Sequence, residues 1–568
     1  MPPDTAAATS PEPDSLAPPP RLVEFADAVG AGWSAGVWEW GPEALLASGA
    51  VSLTDLLEQI PGVVPVRSGL FGQPQAVSAF GMTGGRLELV LDGYALDPLH
   101  DATFDLSRLE LVNLERVRVE RRLDRLRIEI HTLAPGDRRA YSRVEVGTGD
   151  FDTNLFRGLL LVPRALIGPL SLGVDRLDTD GIGRRQNATS FAGWLKWGLV
   201  FGRLGLQFEL RQETAERGGE VVLPGKSSRR DLVLRARGQL LGGLVAELFH
   251  GWSSGEDQPA DSAVERSGTQ AGARVLARGA RWWAGATLRR RSLDPLPENE
   301  AELSAGVRWP GRLTLGGDVG WADWRDAGGA TSYEVRAELG PFGPARAFGS
   351  LARGERGVPF FPDTAAANDT AFGSAARFTA AITERNAARA GLELARGGFR
   401  LGAAALTVVT DSVPGFLLPF DSTPRLYAGG TVRGWELFGR LPLFWHPLSL
   451  EGAYNAWISG FLWPYLPAHN WRASFVYHHS PLKSGNLELL LRLDGHERGA
   501  MDAPRVDGAL ERVDALRALD LYLQIRVLDL RTFLRWENIT HRLRMADLPD
   551  RALPGQRVFW GVKWQFWN

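Results

Sequence analysis

Apolar and polar positions alternate along most of this chain. At its end, Trp560, Val562, Trp564 and Phe566 share one face at period two, and Lys563 and Gln565 fall on the other. That pattern predicts a strand with one apolar, aromatic side and one polar side. Short segments of the same kind recur upstream, at Tyr141–Gly147, Ala192–Phe201, Leu204–Leu210, Leu232–Arg237, Trp283–Leu288, Ser332–Leu339 and Leu519–Leu528. No long amphipathic helix separates them. The connections alternate in length. Those at Asp178–Thr189, Glu213–Arg230 and Ser253–Ser267 are long, and those at Gly202-Arg203, Gly242-Gly243 and Gly279-Ala280 are short. The alternation continues downstream if Phe372–Ile382 belongs to a long connection spanning about Glu355–Ala387. Ala388–Ala395 then leads through Gly397-Gly398 to Phe399–Val409, and Asp411–Pro424 is the next long connection.

Read this way, residues 138–568 give a membrane all-β fold, an antiparallel transmembrane β-barrel of about 22 strands. The last strand runs toward the short-turn end and pairs with the first, near Tyr141–Gly147, leaving no free edge. Arg235 with Arg237, and Arg289 with Arg291, sit at period two. Facing lipid near the midplane, each would cost about 2–4 kcal/mol, so they are expected to face a wet lumen, its contents or a rim. In a soluble sandwich the same residues would be the solvent face.

The N-terminal part has another texture. Residues 1–32 begin with a Pro/Ala-rich, acidic stretch and read as a disordered lead-in. Residues 33–135 read as a small α+β domain that would sit in the lumen. Trp33–Trp40 suits a short strand. Ser52 caps a short helix with Asp55 in its first turn, Leu53, Leu56, Leu57 and Ile60 form its apolar face, and Pro61-Gly62 stops it. Leu87, Leu89 and Leu91 alternate with Glu88 and Val90 before a tight Asp92-Gly93 turn, and Leu114–Glu120 and Leu126–Ile130 are two further strands.

Composition narrows the class. The chain has 568 residues, more than one ordinary soluble core holds. A net charge of −2 gives no reason to expect nucleic acid as a partner. With no Cys there is no disulfide framework and no thiolate metal site. A mean hydropathy of −0.13 suits a barrel in which only alternate residues meet lipid. No apolar run is long enough for a transmembrane helix. Met1–Pro20 has neither a basic nor an apolar region of a signal peptide, so either the protein is not exported or this reading frame starts downstream of the true start; the second is favoured.

No enzyme and no cofactor is expected, because no Walker loop, nucleophile elbow or metal-ligand spacing occurs. Gly32-Trp33-Ser34-Ala35-Gly36 mimics an elbow but lies beside the Pro-rich terminus. His478 and His479 point to opposite faces and read as rim residues near the Ser480–Gly485 turn. His446 and Glu451 show no partner in sequence, and Asn187-Ala188-Thr189 fits a glycosylation sequon. Two long connections, Pro414–Phe420 and Ser459–Pro467, are aromatic and apolar. Phe416, Phe420, Phe461, Trp463 and Tyr465 are therefore candidate ligand-facing residues; the alternative is that they belong to an aromatic girdle or pack on each other.

Three motifs in order carry a resemblance over residues 45–135. Leu53-Thr-Asp-Leu-Leu-Glu-Gln-Ile-Pro-Gly-Val63, Leu87-Glu-Leu-Val-Leu-Asp-Gly93 and Leu114-Glu-Arg-Val-Arg-Val119 resemble the plug domain of TonB-dependent outer-membrane receptors. The signature residues are Ile60, Pro61, Gly62, Val63, Asp92, Gly93, Glu115 and Arg116. Phe533–Thr540, Leu553–Phe559 and the terminal strand resemble that family's last hairpin, and Gly561–Phe566 is similar to the signal read by the barrel-assembly machinery. The chain departs from the family at Phe80-Gly81-Met82, where an Arg usually precedes the Gly, and in a shortened loop between Val119 and Leu126. It shows no convincing energy-coupling box, Arg21–Phe25 being the nearest candidate. The resemblance implies an outer-membrane protein in contact with lipid that binds an unidentified small molecule. It implies import of a scarce solute of siderophore, vitamin or oligomer class, coupled to a periplasmic TonB-type energising protein. The alternative is a plugged barrel without energy coupling, acting as a structural, docking or passive component. A soluble multidomain β protein is the third reading.

Overall fold

A computed structural model describes residues 25–568 apart from 26, 28, 123, 137–138, 166–167, 183–185, 220–223, 260–262, 361–378, 421–425, 444–446, 459–462, 506–507, 543–544, 550 and 568. From Tyr141 on, 22 strands close into one antiparallel barrel. Each strand pairs with its neighbours in sequence. The closing pair is Arg557–Trp567 against Tyr141–Gly149, in register from Phe559↔Gly149 to Trp567↔Tyr141. The chain alternates between a short-turn end, where Trp567 lies, and a long-loop end.

The outward face is apolar. Leu248, Leu351 and Leu392 are 63%, 64% and 63% exposed, an arrangement that suits hydrocarbon and not water. Aromatic residues ring both margins of this belt. Phe201, Trp282, Trp309, Phe342 and Trp564 point out toward the turn end, and Phe156, Phe191, Trp321 and Tyr333 toward the loop end. The inward face is polar and buried, because something fills the lumen.

The strands run further than the hydrophobic alternation indicates. The expected long connection Glu213–Arg230 is mostly ladder, since Leu204–Arg217 pairs with Gly225–Leu241 as far as Arg217↔Gly225. Asp178–Thr189 and Ser253–Ser267 shorten in the same way, as strands end at Thr179 and Pro259 and resume at Ala188 and Val264. Ala345–Phe360 and Thr379–Arg396 extend into the expected connection Glu355–Ala387. Above the apolar belt both strand faces are polar, as in the exposed Lys226–Glu216 ion pair at 3.1 Å. Contrast disappears there while the hydrogen bonds continue.

The lumen holds the N-terminal domain. Its mixed sheet has the order Val37–Trp40, Leu114–Arg121, Leu126–Thr132, Leu87–Leu91, Tyr94–Ala95. Leu126–Thr132 is antiparallel to Leu114–Arg121 and parallel to Leu87–Leu91. A separate hairpin, Val63–Arg67 with Gln75–Ala79, lies toward the loop end. The helix Leu53–Leu57 forms as its capping pattern predicts, and Leu53, Leu56, Leu57 and Ile60 pack with Val77, Leu89, Val117, Ile128 and Ile130. A second helix, Pro42–Ala47, has too few residues to show periodicity in sequence. Of the expected disordered lead-in, residues 1–24 lie outside the described residues, but Phe25 and Asp27 already make contacts inside the barrel.

Candidate functional site

The plug-signature residues are placed by backbone geometry. Gly62 has φ +84°, and the Phe80 ring lies against it so closely that a Cβ would fall 2.1 Å from Phe80 Cε1. Ile60 and Val63 are buried on either side. Pro61-Gly62 therefore turns the helix Leu53–Leu57 into the strand Val63–Arg67 at a point where only glycine fits. Asp92 and Gly93 make the tight turn predicted for them, with φ +48° and +91°. The Asp92 carboxylate accepts hydrogen bonds from Lys196 Nζ at 2.8 Å and from the Thr132 amide at 3.1 Å. Burial pushes its pKa up, but the Lys196 and Arg235 cations outweigh this and hold it well below the usual carboxylate range. Arg116 and Glu115 lie elsewhere, beside a cavity at the turn end.

Charged pairs fix the plug to the wall. The Asp55 carboxylate takes the Val51 and Ser52 amides at 2.9 and 3.0 Å and two Arg535 nitrogens at 2.9 and 3.1 Å. Glu436 holds Arg121 and, at 3.0 Å, Arg389; the Arg121 guanidinium also lies over the Phe80 ring at 4.0 Å. Arg385 donates to the Phe80 carbonyl at 2.7 Å. The shortened hairpin between Leu114–Arg121 and Leu126–Thr132 is the most heavily paired part. Glu302 binds Arg122, Arg125 at 2.9 Å and Arg127 at 3.3 Å. Arg86 is buried, has no carboxylate ion-pair partner among the described residues and donates to the Asp124 carbonyl and to Thr383, and burial pushes its pKa down to about 10.

The four arginines read from the sequence all point inward. Arg235 donates to the Asp92 carbonyl, Arg237 pairs with Glu247, Arg289 with Glu88 at 3.3 Å, and Arg291 with Asp97 at 3.1 Å. Sequence reasoning missed Glu302, Glu436, Arg385 and Arg389. Arg385 lay in the stretch assigned to a loop, whereas Arg389 lay in the expected strand Ala388–Ala395 with no sign of its partner, and Glu302 and Glu436 lie on strands that were not singled out.

The aromatic loop residues do not line an open surface. Phe416, Phe420, Trp463 and Tyr465 are each 1% exposed or less. Phe416, Phe420 and Tyr465 pack with Val66 and Ala76 of the plug hairpin and with Ala503, Val513 and Leu548 of neighbouring loops. Trp463 lies on Gly81, where a Cβ would approach its ring to 2.7 Å. In this conformation these four side chains are buried between the loops and the plug hairpin. The cause is that the plug hairpin is apolar on its upper side and draws the apolar loops down. Phe461 lies outside the described residues. His478 is at the turn-end rim, 2.9 Å from Glu488, and Glu451 pairs with Arg440 at 3.1 Å. Ser34 is no nucleophile elbow; it sits in a turn, and its carbonyl accepts from Arg389. His446 is outside the described residues.

A cavity of about 540 Å³ lies between plug and wall. It is lined by the first residues of strands leaving the turn end (Pro169, Trp283, Thr314) and the last of strands returning to it (Gly198, Leu276, Glu338), so it belongs to that end. Phe25 enters it between Arg237 and Arg274, with ring-to-guanidinium distances of 5.2 and 4.5 Å. Asp27, Glu129 and His131 bring ligand-type atoms within 4.8 Å of one another there, but Asp27 is already paired with Arg116.

This architecture has known counterparts. Residues 35–124 match the TonB-dependent Receptor Plug Domain. The N-terminal domain is a TonB-dependent receptor plug. The plug together with its barrel is similar to the ferric enterobactin receptor PfeA of Pseudomonas aeruginosa, in a mutant form (12% identity, TM-score 0.69, covering 94% of this chain and 98% of that one). It is similar to the siderophore receptor PirA of Acinetobacter baumannii (10% identity, TM-score 0.69, 94% and 98%). It is also similar to the FrpB iron transporter of Neisseria meningitidis (11% identity, TM-score 0.71, 94% and 99%). No curated protein sequence matches the chain.

Proposed function

We propose that this protein is an outer-membrane receptor that binds a small molecule at its loop end and imports it past the plug, the solute being of the siderophore class. The observation that supports this most is the matched plug seated inside a closed 22-strand barrel whose ion pairs fix it to the wall. Solved proteins of this shape include a siderophore receptor and an iron transporter. In this reading the turn end faces the periplasm, and Phe416, Phe420, Phe461, Trp463 and Tyr465 meet the ligand after the loops lift from the plug hairpin. A periplasmic energising protein would act on the segment that leads into Phe25. Barrel-assembly machinery would insert the chain from its terminal strand.

A second reading, a plugged barrel without energy coupling, is favoured by the burial of the loop aromatics against the plug hairpin and by Phe25 being held inside the cavity. Uptake separates the two. Expressed with an export signal in cells lacking their own siderophore receptors, the chain is expected to restore accumulation of one member of a panel of labelled ferric siderophores. That accumulation should vanish when the inner-membrane motor is deleted. Binding without motor-dependent accumulation would select the second reading.

A further inference from the structure

Exposed cations are handled differently at the two ends of the barrel. At the loop end most have a carboxylate beside them, as Arg290 has Glu298 at 3.2 Å, Arg353 has Glu384 at 2.9 Å and Arg517 has Glu497 at 2.9 Å. Part of the turn-end rim does the same. Arg346 pairs with Glu338 at 2.9 Å, Arg440 with Glu451 at 3.1 Å and Arg526 with Glu488 at 2.6 Å. Arg278, Arg281, Arg308 and Arg312 break the pattern. All four are exposed, and among the described residues none has an ion-pair partner.

These four lie on two turns that touch. One turn joins Val264–Arg278 to Trp282–Arg291, and the other joins Asn299–Trp309 to Leu313–Trp324. The Arg308 amide donates to the Arg281 carbonyl at 2.7 Å, which ties the turns together. Each turn also carries an outward indole, Trp282 at 49% and Trp309 at 45% exposure. Trp282 folds back over its own turn, where a Cβ on Gly279 would fall 2.4 Å from the indole nitrogen. The result is one surface of four arginines and two tryptophans.

Neighbouring like charges repel unless an anion lies among them. The chain supplies none here, so the anion is external. The indoles set its depth, because Trp gathers where hydrocarbon meets headgroups. The arginines follow at the level of lipid phosphates, which guanidinium groups grip through paired N–H donors. We propose that the two joined turns bind an anionic phospholipid headgroup of the leaflet that the turn end meets, with phosphates on the arginines and the upper acyl chains against Trp282 and Trp309. A lipid with two phosphates offers one to each turn. The proposal rests on the barrel spanning a membrane, and not on siderophore import.

The test is native mass spectrometry of the purified full chain in neutral detergent, titrated with cardiolipin and separately with phosphatidylcholine. The native chain should retain cardiolipin and release phosphatidylcholine. Each arginine near an anionic lipid surface is worth about a fivefold change in affinity. Arg281→Gln combined with Arg308→Gln should therefore weaken cardiolipin binding roughly thirtyfold. Arg396 and Arg400 are also exposed at the turn end, on a turn that carries no Trp. Arg396→Gln combined with Arg400→Gln removes the same charge there and should weaken binding less than fivefold. Equal losses from the two double variants would overturn the proposal, since a diffusely charged rim would then be the explanation. So would binding of cardiolipin and phosphatidylcholine alike. Co-sedimentation with purified cell-wall sacculi that the Arg281 and Arg308 variant loses, while keeping its cardiolipin, would overturn it in favour of a wall polymer. Insertion into phosphatidylcholine vesicles, read by heat-modifiable mobility on gels, keeps the two readings apart. A native chain that inserts but shows no cardiolipin preference sinks the lipid site alone, whereas one that inserts nowhere sinks the membrane reading as well.

Discussion

Asp55 shows how much one plug side chain can carry. It closes the first turn of its helix through two amides and reaches across to Arg535 on the wall, with side chains only 6% and 12% exposed. Burial raises its pKa, but Arg535 and Arg557 outweigh that and hold it far below the usual value. An unfolded Asp titrates near about 3.9, so the folded form binds its proton more weakly and this stabilisation is whole at neutral pH. It is lost as pH falls through about 4 and below. Asp55→Asn leaves Arg535 with Glu537 alone and is expected to cost about 1–3 kcal/mol of plug stability at pH 7. Denaturant unfolding followed by hydrogen exchange of plug amides should show that loss, and the variant's curve should be flatter than the native one between pH 5 and 3.

At the scale of elements, the plug hairpin Val63–Arg67 with Gln75–Ala79 and the loops above it are one packing unit. The aromatic character of Phe416, Phe420, Trp463 and Tyr465 was plain in the sequence; whether it served a ligand or a core was not. Choosing between those needs the hairpin's apolar face, which is supplied by residues more than 300 positions away. Phe416→Ala removes a fully buried ring from that cluster and is expected to cost about 3–5 kcal/mol of local packing. Limited proteolysis should then cut near residues 415–420 while the barrel keeps its heat-modifiable mobility on gels. Unchanged protection would mean that the loops are held by something other than this core.

For the whole molecule, closure is the controlling event. Arg557–Trp567 pairs with Leu530–Glu537 on one side and Tyr141–Gly149 on the other. Deleting residues 557–568 would leave two edges unpaired, and each unsatisfied backbone group in hydrocarbon costs several kcal/mol. The truncated chain is expected to yield no heat-modifiable barrel, whereas Trp560→Ala keeps the ladder and should assemble. Recovery of a folded band from the truncation would show that the last strand is dispensable.

The terminal strand also marks how far sequence reaches. Period-two alternation was enough to determine that strand and its apolar outer face, because alternation follows directly from strand geometry, and the alternating long and short connections with the closing strand set the barrel class and the near count of strands. The plug's helix stop and its Asp92-Gly93 turn were equally local, since glycine and capping residues act on their own backbone. Only the tertiary structure decided that Lys563, on the polar face, donates to the Leu46 and Ser48 carbonyls at 3.2 and 3.0 Å. It alone paired Glu302 with three plug arginines, buried the loop aromatics and opened a cavity on one side of the plug. Those depend on which inward residues the closed ring sets opposite one another, and nothing in a strand's own pattern records what lies across the lumen.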